Sequence, residues 1–583
     1  MHYTSKEVYQ SISQQTNDPI VEWKTCAVSG VEFPIYQSDL EFYDKVSPVI
    51  NGVKYKIPTP KLCPEERERR RLMFRNERKL YKRKCDASGK DIISMYSPDK
   101  SYKIYDQKFW RSDSWDPMSY GQDFDLSKTF TEQFMNLLKK VPQVALIGNN
   151  NENSAYSNNQ AFNKNCYMCF DTGRSRDCYY VTRSYTNTLC MDSLLVVECE
   201  NSYQIMDAFR CTSCMFSQNI SDCSFCFYSI LCSGCTHCFL CSNLVNKSYC
   251  INNIQYTKEE YFELIKQFEI WSEELWKKFR EMLSNVIYKN NNVSCENVFG
   301  DYLKECKDCM NSFDAQKSRN CSYISASTCL DDSYDDNFSG DGNIGNSFKN
   351  LETIGCECPK YVLFSTKCRG GCEFVMYSDF CHSCKNCFWC VWLRNKEYCI
   401  LNKQYTKEEY EKLVPQIIEQ MQKSWEWWEF FDPSLSHFGY NETVAQEYFS
   451  LSREKALARW YRRQDNSYDP VIPEWAEVFR WDKIPTDIRT VSDDILKNIF
   501  VCEVSWRPFR IIKQELDFYR KHNLPLPRKH PDIRHEERMR VRPIRWFHLR
   551  NCDNCGKEMI SVYPKNYEWK VYCESCYKKE IYG

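Results

Sequence analysis

Glycine is scarce in this chain, 17 of 583 residues, and none of it falls in a Gly-x-Gly-x-x-Gly or Walker A pattern. That excludes the usual phosphate-cradling loops. Histidine is scarcer still, with eight residues and no His-Glu-x-x-His arrangement, so a zincin-type catalytic site is excluded too. Excess charge of one sign is also lacking. Lys plus Arg number 78 against 79 Asp plus Glu, and no net field draws the whole molecule to nucleic acid or membrane. No run approaches the roughly 18 apolar residues of a membrane span. The opening MHYTSKEVYQSISQQTNDP has no basic flank followed by an apolar core, so no secretory signal is read there and the expected location is cytoplasmic.

What the chain has is cysteine, 36 residues, of which 28 lie between 150 and 405. In a reducing compartment these are thiols or metal thiolates rather than disulfides. The cysteine-rich centre is a duplication. Asn246–Tyr261 (NKSYCINNIQYTKEEY) recurs as Asn395–Tyr410 (NKEYCILNKQYTKEEY), and the same offset carries Cys232, Cys235, Cys238 and Cys241 onto Cys381, Cys384, Cys387 and Cys390. Thr257 and Thr406, each with glutamate three residues on, are N-caps of the capping-box type. The first closure continues with Tyr261, Leu264, Ile265, Phe268, Trp271, Leu275, Trp276, Phe279 and Leu283. That stripe at helical spacing reads as a packing face, a lid over the cysteine-rich unit.

Within each copy the cysteines recur every twelve residues: Cys166, Cys178, Cys190; Cys199, Cys211, Cys223, Cys235; Cys214, Cys226, Cys238, Cys250; and, in the second copy, pairs such as Cys309/Cys321 and Cys387/Cys399. Tyr, Phe, Ser and Asn fill the gaps, residues suited to short strands and their corners. A short period in such sequence reads as a β-solenoid, with coils stacked about 4.8 Å apart. A coil this narrow accepts only small side chains inside, and buried cysteine is a small hydrophobe.

The flanks repeat each other as well. Cys26-Ala-Val-Ser-Gly matches Cys502-Glu-Val-Ser-Trp, and Cys85–Tyr96 (CDASGKDIISMY) matches Cys552–Tyr563 (CDNCGKEMISVY) without a gap. The expected fold is therefore mainly β with added helices: two cysteine-rich β-solenoid units of ~12-residue coils flanked by two zinc-ribbon-like modules. The expected divisions are a degenerate ribbon-like module with a basic helix (1–120), a helical linker (121–149), solenoid unit 1 (150–256), a closing helix (257–290), solenoid unit 2 (291–405), a helical segment (406–465, with a helix at Thr443–Tyr461) and a ribbon-like module with a basic segment (466–583).

Cys552-x2-Cys555, seventeen residues, then Cys573-x2-Cys576 is the spacing of a structural zinc ribbon. Four thiolates fill all four positions of tetrahedral zinc, so one structural zinc is expected. In the N-terminal copy Cys85 remains, but Ser88, Asp106 and Phe109 stand at the other three positions, and one thiolate does not hold zinc. Cys26, Cys63, Cys502 and His530 lack partners at ribbon spacing and read as leftover core residues. The Cys232–Cys241 run, and its copy Cys381, Cys384, Cys387 and Cys390, could form a second thiolate site. An iron–sulfur reading fits less well, because no Pro follows Cys241. Asp331, Asp332, Asp335, Asp336 and Asp341 cluster without the glutamate that ends a calcium loop, and read as a polar solenoid loop.

Basic residues gather before each ribbon: Arg69, Arg70, Arg71, Arg75, Arg78, Lys82 and Arg83 in one place; Arg538, Arg540, Arg542 and Arg545 in the other. Interleaved with aromatics, they suit phosphate contacts and base stacking. The alternative is a solvated helix whose Glu65, Glu66, Glu68 and Glu77 pair with its own arginines. The functional expectation is thus a non-enzymatic zinc protein binding RNA or single-stranded DNA, with a structural or protein-interaction scaffold as the alternative.

The motifs Val28-Ser-Gly, Leu40-Glu-Phe-Tyr, Arg75-Asn-Glu-Arg, Ile93–Lys100 (ISMYSPDK) and the two closures together resemble a family of uncharacterised cysteine-rich proteins of candidate-phyla-radiation bacteria. Members are sometimes labelled CaiB/BaiF, which no residue here supports. The resemblance covers essentially the whole chain and implies no activity. It implies a cysteine-bearing N-terminal ribbon, from which Ser88, Asp106 and Phe109 depart.

Overall fold

Left-handed backbone recurs every third residue through the centre: Asn165, Met168, Asp171, Arg174, Asp177 and Tyr180 all have φ between 50 and 58°. The residue after each is buried, and the residue before each bridges in parallel to the residue twelve on, as in Lys164↔Arg176 and Tyr167↔Tyr179. A coil is therefore four triplets, each made of a bridging residue, a left-handed corner and a small inward side chain. Cys166, Cys169, Cys178, Val181, Cys190, Val196 and Cys199 all belong to one buried cluster. Their thiols also satisfy the backbone: Cys166 Sγ donates to the carbonyls of Lys164 (3.4 Å) and Ser175 (3.5 Å), and Cys223 Sγ to those of Ser221 (3.3 Å) and Cys232 (3.5 Å). Inward serines do the same, Ser217 Oγ donating to Met215 and Cys226. Cysteine and serine fill the core because each combines small volume with a donor.

The structure, a computed structural model, describes residues 3–583 except 197–198, 269–271, 341–344, 467, 469–471 and 475. Trp271 and Asp341 lie outside the described residues. The fold is mainly β, with two stretches of solenoid and thirteen α-helices among the described residues. No described helix is long and apolar enough to cross a membrane. By internal contacts the chain divides into two units: residues 1–145, 289–464 and 544–566, and residues 146–288, 465–543 and 567–583.

In the first unit the solenoid forms a continuous parallel sheet from Glu296–Asp301 to Glu397–Ile400. Two coils there are enlarged: Asp336 pairs with Thr353 and Val362 with Val375, steps of 353 − 336 = 17 and 375 − 362 = 13. The Asp331–Asp336 segment is thus strand and corner within the stack, beside the enlarged coil. The helix Lys407–Lys423 closes the last coil through a capping box, Thr406 N donating to Glu409 Oε2 and Glu409 N to Thr406 Oγ1. Between residues 121 and 149 the chain forms the helix Phe130–Lys140.

In the second unit the strands are shorter and many coils pair by single bridges. Thr257 and Glu260 form the matching capping box. The closure, however, is two helices, Lys258–Ile265 and Glu273–Leu283, rather than one, because Ser272 caps a new start by accepting from Leu275 N. The Thr443–Tyr461 stretch of the first unit likewise breaks into Val444–Tyr448 and Arg453–Ala458, the second capped by Ser452.

Candidate metal centre and arginine clasps

One local motif recurs four times: a cysteine opens a tight turn between two strands, and a later residue caps a helix. The Cys85 N–H donates to Lys90 O (2.8 Å) and Gly89 N–H to Cys85 O (2.8 Å). Cys552 with Lys557 and Gly556 repeats both bonds at 2.9 Å. The flanking hairpins share one register, Tyr81↔Ser94 to Lys84↔Asp91 and His548↔Ser561 to Asn551↔Glu558. Cys26 and Cys502 open turns of the same kind. The caps are Cys63 on Pro64–Leu72, Asp106 on Gln107–Arg111, His530 on Pro531–Val541 and Cys573 on Glu574–Tyr582, all with extended ψ.

Only the last motif keeps four ligands. Its Cys552, Cys555, Cys573 and Cys576 sulfurs lie within 4.8 Å of one another, a group that could hold a metal ion. Cys552 is buried, Cys555 exposed and the other two intermediate. Four thiolates on two short turns suit tetrahedral zinc, and with every position taken by protein the role would be structural.

In the other three, hydrogen bonds join the residues at the corresponding positions. At the second, Asp106 Oδ2 accepts from Cys85 Sγ (3.3 Å) and Ser88 Oγ (3.2 Å), while Asp106 Oδ1 caps the helix by accepting from Phe109 N (2.9 Å). At the first, Ser29 Oγ lies 3.7 Å from Cys63 Sγ. Hydrogen bonding from Cys63 pulls the Cys26 thiol down to about 5, against burial, while burial and that same contact push Cys63 up. The fourth position is Glu66, taken by Tyr3, Arg69 and Arg459. At the third, burial opposes ionisation of Cys502, but the His530 backbone and Ser505 together lower its thiol. The structure therefore brings Cys26 to Cys63 and Cys502 to His530, pairs that the sequence reading left scattered. The signal was present in the helix-capping positions rather than in Cys-x2-Cys spacing.

The basic segments are placed unlike a phosphate-binding surface. Arg69, Arg71, Arg75 and Arg78 are buried, as are Arg538, Arg542 and Arg545. In the first unit Arg67 Nε meets Asp335 (2.9 Å). Arg71 meets Asp335 (3.0 Å), Glu352 (2.7 Å) and Asn337 (2.5 Å). Arg70 meets Glu429 (2.7 Å) and Glu352 (3.2 Å), and Arg545 meets Glu68 and Asp314, both at 2.7 Å. Arg69 pairs with Glu66 and Arg75 with Glu77. In the second unit Arg534 and Arg538 both hold Asp192, and Arg542 holds Asp207. Arg534 and Arg538 stand 467 residues after Arg67 and Arg71 (534 − 67, 538 − 71). Two homologous helices thus grip two solenoids by an i, i+4 arginine pair on a corner aspartate. Of the expected contact residues, Lys82 and Arg540 are exposed, and Arg83 is half-buried against Asp86 (3.4 Å).

The inward thiols form ladders. Cys226, Cys238 and Cys250 are successive register partners, as are Cys309 with Cys321 and Cys387 with Cys399. The expected second thiolate groups, Cys232–Cys241 and Cys381–Cys390, each occupy one coil, all eight residues buried. No solenoid cysteine is in a disulfide among the described residues.

No known protein family matches the chain, and no curated protein does. Among solved structures, the chain is similar to a crystal structure described as that of an acetyltransferase from Desulfovibrio desulfuricans G20, at 11% identity and a TM-score of 0.10, over 40% of this chain and 64% of the other. A likeness that small carries no argument about fold or activity.

Proposed function

We propose that the chain is a non-enzymatic, zinc-stabilised scaffold: two solenoid rods, each gripped by a ribbon-derived helix, offering their outer faces to protein partners. The observation that carries this reading is the burial of the arginines. Side chains suited to phosphate contact are spent on Asp335, Glu352, Asp192 and Asp207 within the protein. A buried ion pair of this kind is expensive to expose, so these residues serve assembly of the fold. The Cys552/Cys555/Cys573/Cys576 quartet supports zinc through its ligand type and number. The many unbridged solenoid thiols suit a reducing compartment such as the cytosol.

One observation favours RNA or single-stranded DNA as a partner by another route. Trp481 and Trp506 meet edge to face at 4.8 Å, and the Arg480 guanidinium lies 4.9 and 5.3 Å from their ring centres. Trp506 is 60% exposed, a geometry that suits stacking on an unpaired base. Titration of a fluorescent oligoribonucleotide at low salt distinguishes the two. No binding supports the scaffold. Binding that falls steeply with salt and is lost in Trp506→Ala supports the nucleic-acid reading and overturns the scaffold.

A further inference from the structure

Both solenoids carry the same unusual coil, one step before their last parallel strand. In most coils the four inward positions mix thiols with Ser, Val, Ile, Asn or Ala, but here all four are cysteine: Cys232, Cys235, Cys238 and Cys241 in one unit, Cys381, Cys384, Cys387 and Cys390 in the other. Sequential thiols around each coil are hydrogen-bond neighbours. Cys235 meets Cys232, Cys238 and, one coil below, Cys223; Cys384 meets Cys381, Cys387 and Cys372. Cys241 continues the first chain from Cys238, and Cys390 the second from Cys387. Packing alone does not require this, because Ser217 and Ser229 fill equivalent inward positions in neighbouring coils.

The position after each ring is also unlike the rest of its column. Twelve residues beyond Cys235 and Cys384, where an inward side chain is due, stand Lys247, which is exposed, and Lys396, which is half-buried. The column stops there, and the Lys247 and Lys396 carbonyls accept from Cys238 Sγ (3.8 Å) and Cys387 Sγ (3.6 Å). Burial, and then thiolate charge on Cys238 and Cys241 or on Cys387 and Cys390, disfavours ionisation of Tyr261 and Tyr410 in the closing helices. Each ring is therefore a buried row of soft donors whose Cys235 or Cys384 column ends at a lysine.

The arrangement discriminates between metals. Zinc and four-cysteine clusters need ligand atoms that converge on one point. Among the described residues only the C-terminal quartet has its ligand atoms all within 4.8 Å of one another. Ring thiols instead meet as neighbours along a line. Such an array suits a soft ion content with two thiolates and able to share them with the next ion.

We propose that each ring, Cys232/Cys235/Cys238/Cys241 and Cys381/Cys384/Cys387/Cys390, is a binding site for monovalent copper, held between neighbouring thiolates. Each ligating thiol gives up its proton to solvent as the copper–sulfur bond forms, and no electron is transferred. The site is independent of the zinc reading, because the ribbon cysteines take no part.

The test is anaerobic titration of the full-length, zinc-replete protein with copper(I) buffered by a competing chelator, reading bound copper and thiolate-to-copper charge-transfer absorption. Wild type should retain copper at two places. Cys235→Ser with Cys238→Ser should lose about half of it, as should Cys384→Ser with Cys387→Ser, and the four together nearly all, while zinc stays at one per chain. Serine already fills such inward positions, and circular dichroism checks that the coils persist. Cys178→Ser with Cys190→Ser, in the ladder but outside the ring, should retain wild-type copper. Equal copper uptake by wild type and the fourfold variant overturns the proposal, as does equal loss in the Cys178/Cys190 variant.

Discussion

Cys85 Sγ lies 3.3 Å from Asp106 Oδ2, at the two positions that Cys552 and Cys573 occupy in the C-terminal motif. One scaffold has thus been kept with and without metal-binding residues. In the copy without them, the carboxylate accepts from the thiol and from Ser88, and its other oxygen caps the helix.

Because hairpin register and cap geometry are shared, the lost site should be recoverable. The triple variant Ser88→Cys, Asp106→Cys, Phe109→Cys is expected to raise zinc from one to two per chain by elemental analysis. Asp106→Ala alone should add no metal and should cost about 1 kcal/mol through loss of the cap.

The arginine clasps give a second expectation. Removing one partner leaves a buried charge uncompensated, so Asp192→Ala or Arg71→Ala should each destabilise by about 3–5 kcal/mol. Arg540→Ala, at an exposed site, should change stability by less than about 0.5 kcal/mol. Denaturant unfolding of the three variants checks this.

The twelve-residue step of Cys214, Cys226, Cys238 and Cys250 identified the coil and its height. The triplet beneath it was harder to see, because the left-handed corners that glycine would mark are filled instead by residues such as Met168, Arg183 and Leu189. The basic segments show the opposite limit. Arg67 and Arg71 look solvated in sequence because Asp335 lies more than 260 positions away (335 − 71 = 264), and local pairing rules see only near neighbours. Cys63 and His530 were missed because the capping relation that pairs them with Cys26 and Cys502 is conformational.

Trp506 gives a third expectation. It has φ 60° at the position where the other three motifs carry Gly30, Gly89 and Gly556 at φ 70–72°. A bulky residue in left-handed backbone costs about 1–2 kcal/mol relative to glycine, and 60% exposure returns little. Trp506→Gly is therefore expected to leave stability unchanged or raise it by about 1 kcal/mol, read as the denaturation midpoint.

A fourth concerns pH. Burial, with Lys367, Lys100 and Arg462 nearby, holds the His437 imidazole well below its ordinary value. The folded state keeps it neutral while the unfolded chain takes up a proton near pH 6.5. Its contribution to stability is therefore complete above about pH 6.5 and is lost as pH falls below it, because the unfolded state then binds more protons. His437→Gln should flatten the fall in melting temperature between about pH 7 and pH 5 relative to wild type. An unchanged slope would place the imidazole in contact with solvent.

One structural zinc is proposed on the C-terminal motif, whose three related motifs lack the four cysteines. Native mass spectrometry of protein purified without added metal tests it directly. The expected mass is that of the chain plus one zinc, falling to the bare chain in Cys552→Ser with Cys573→Ser. A wild-type chain without metal, or zinc that survives in that variant, would contradict it.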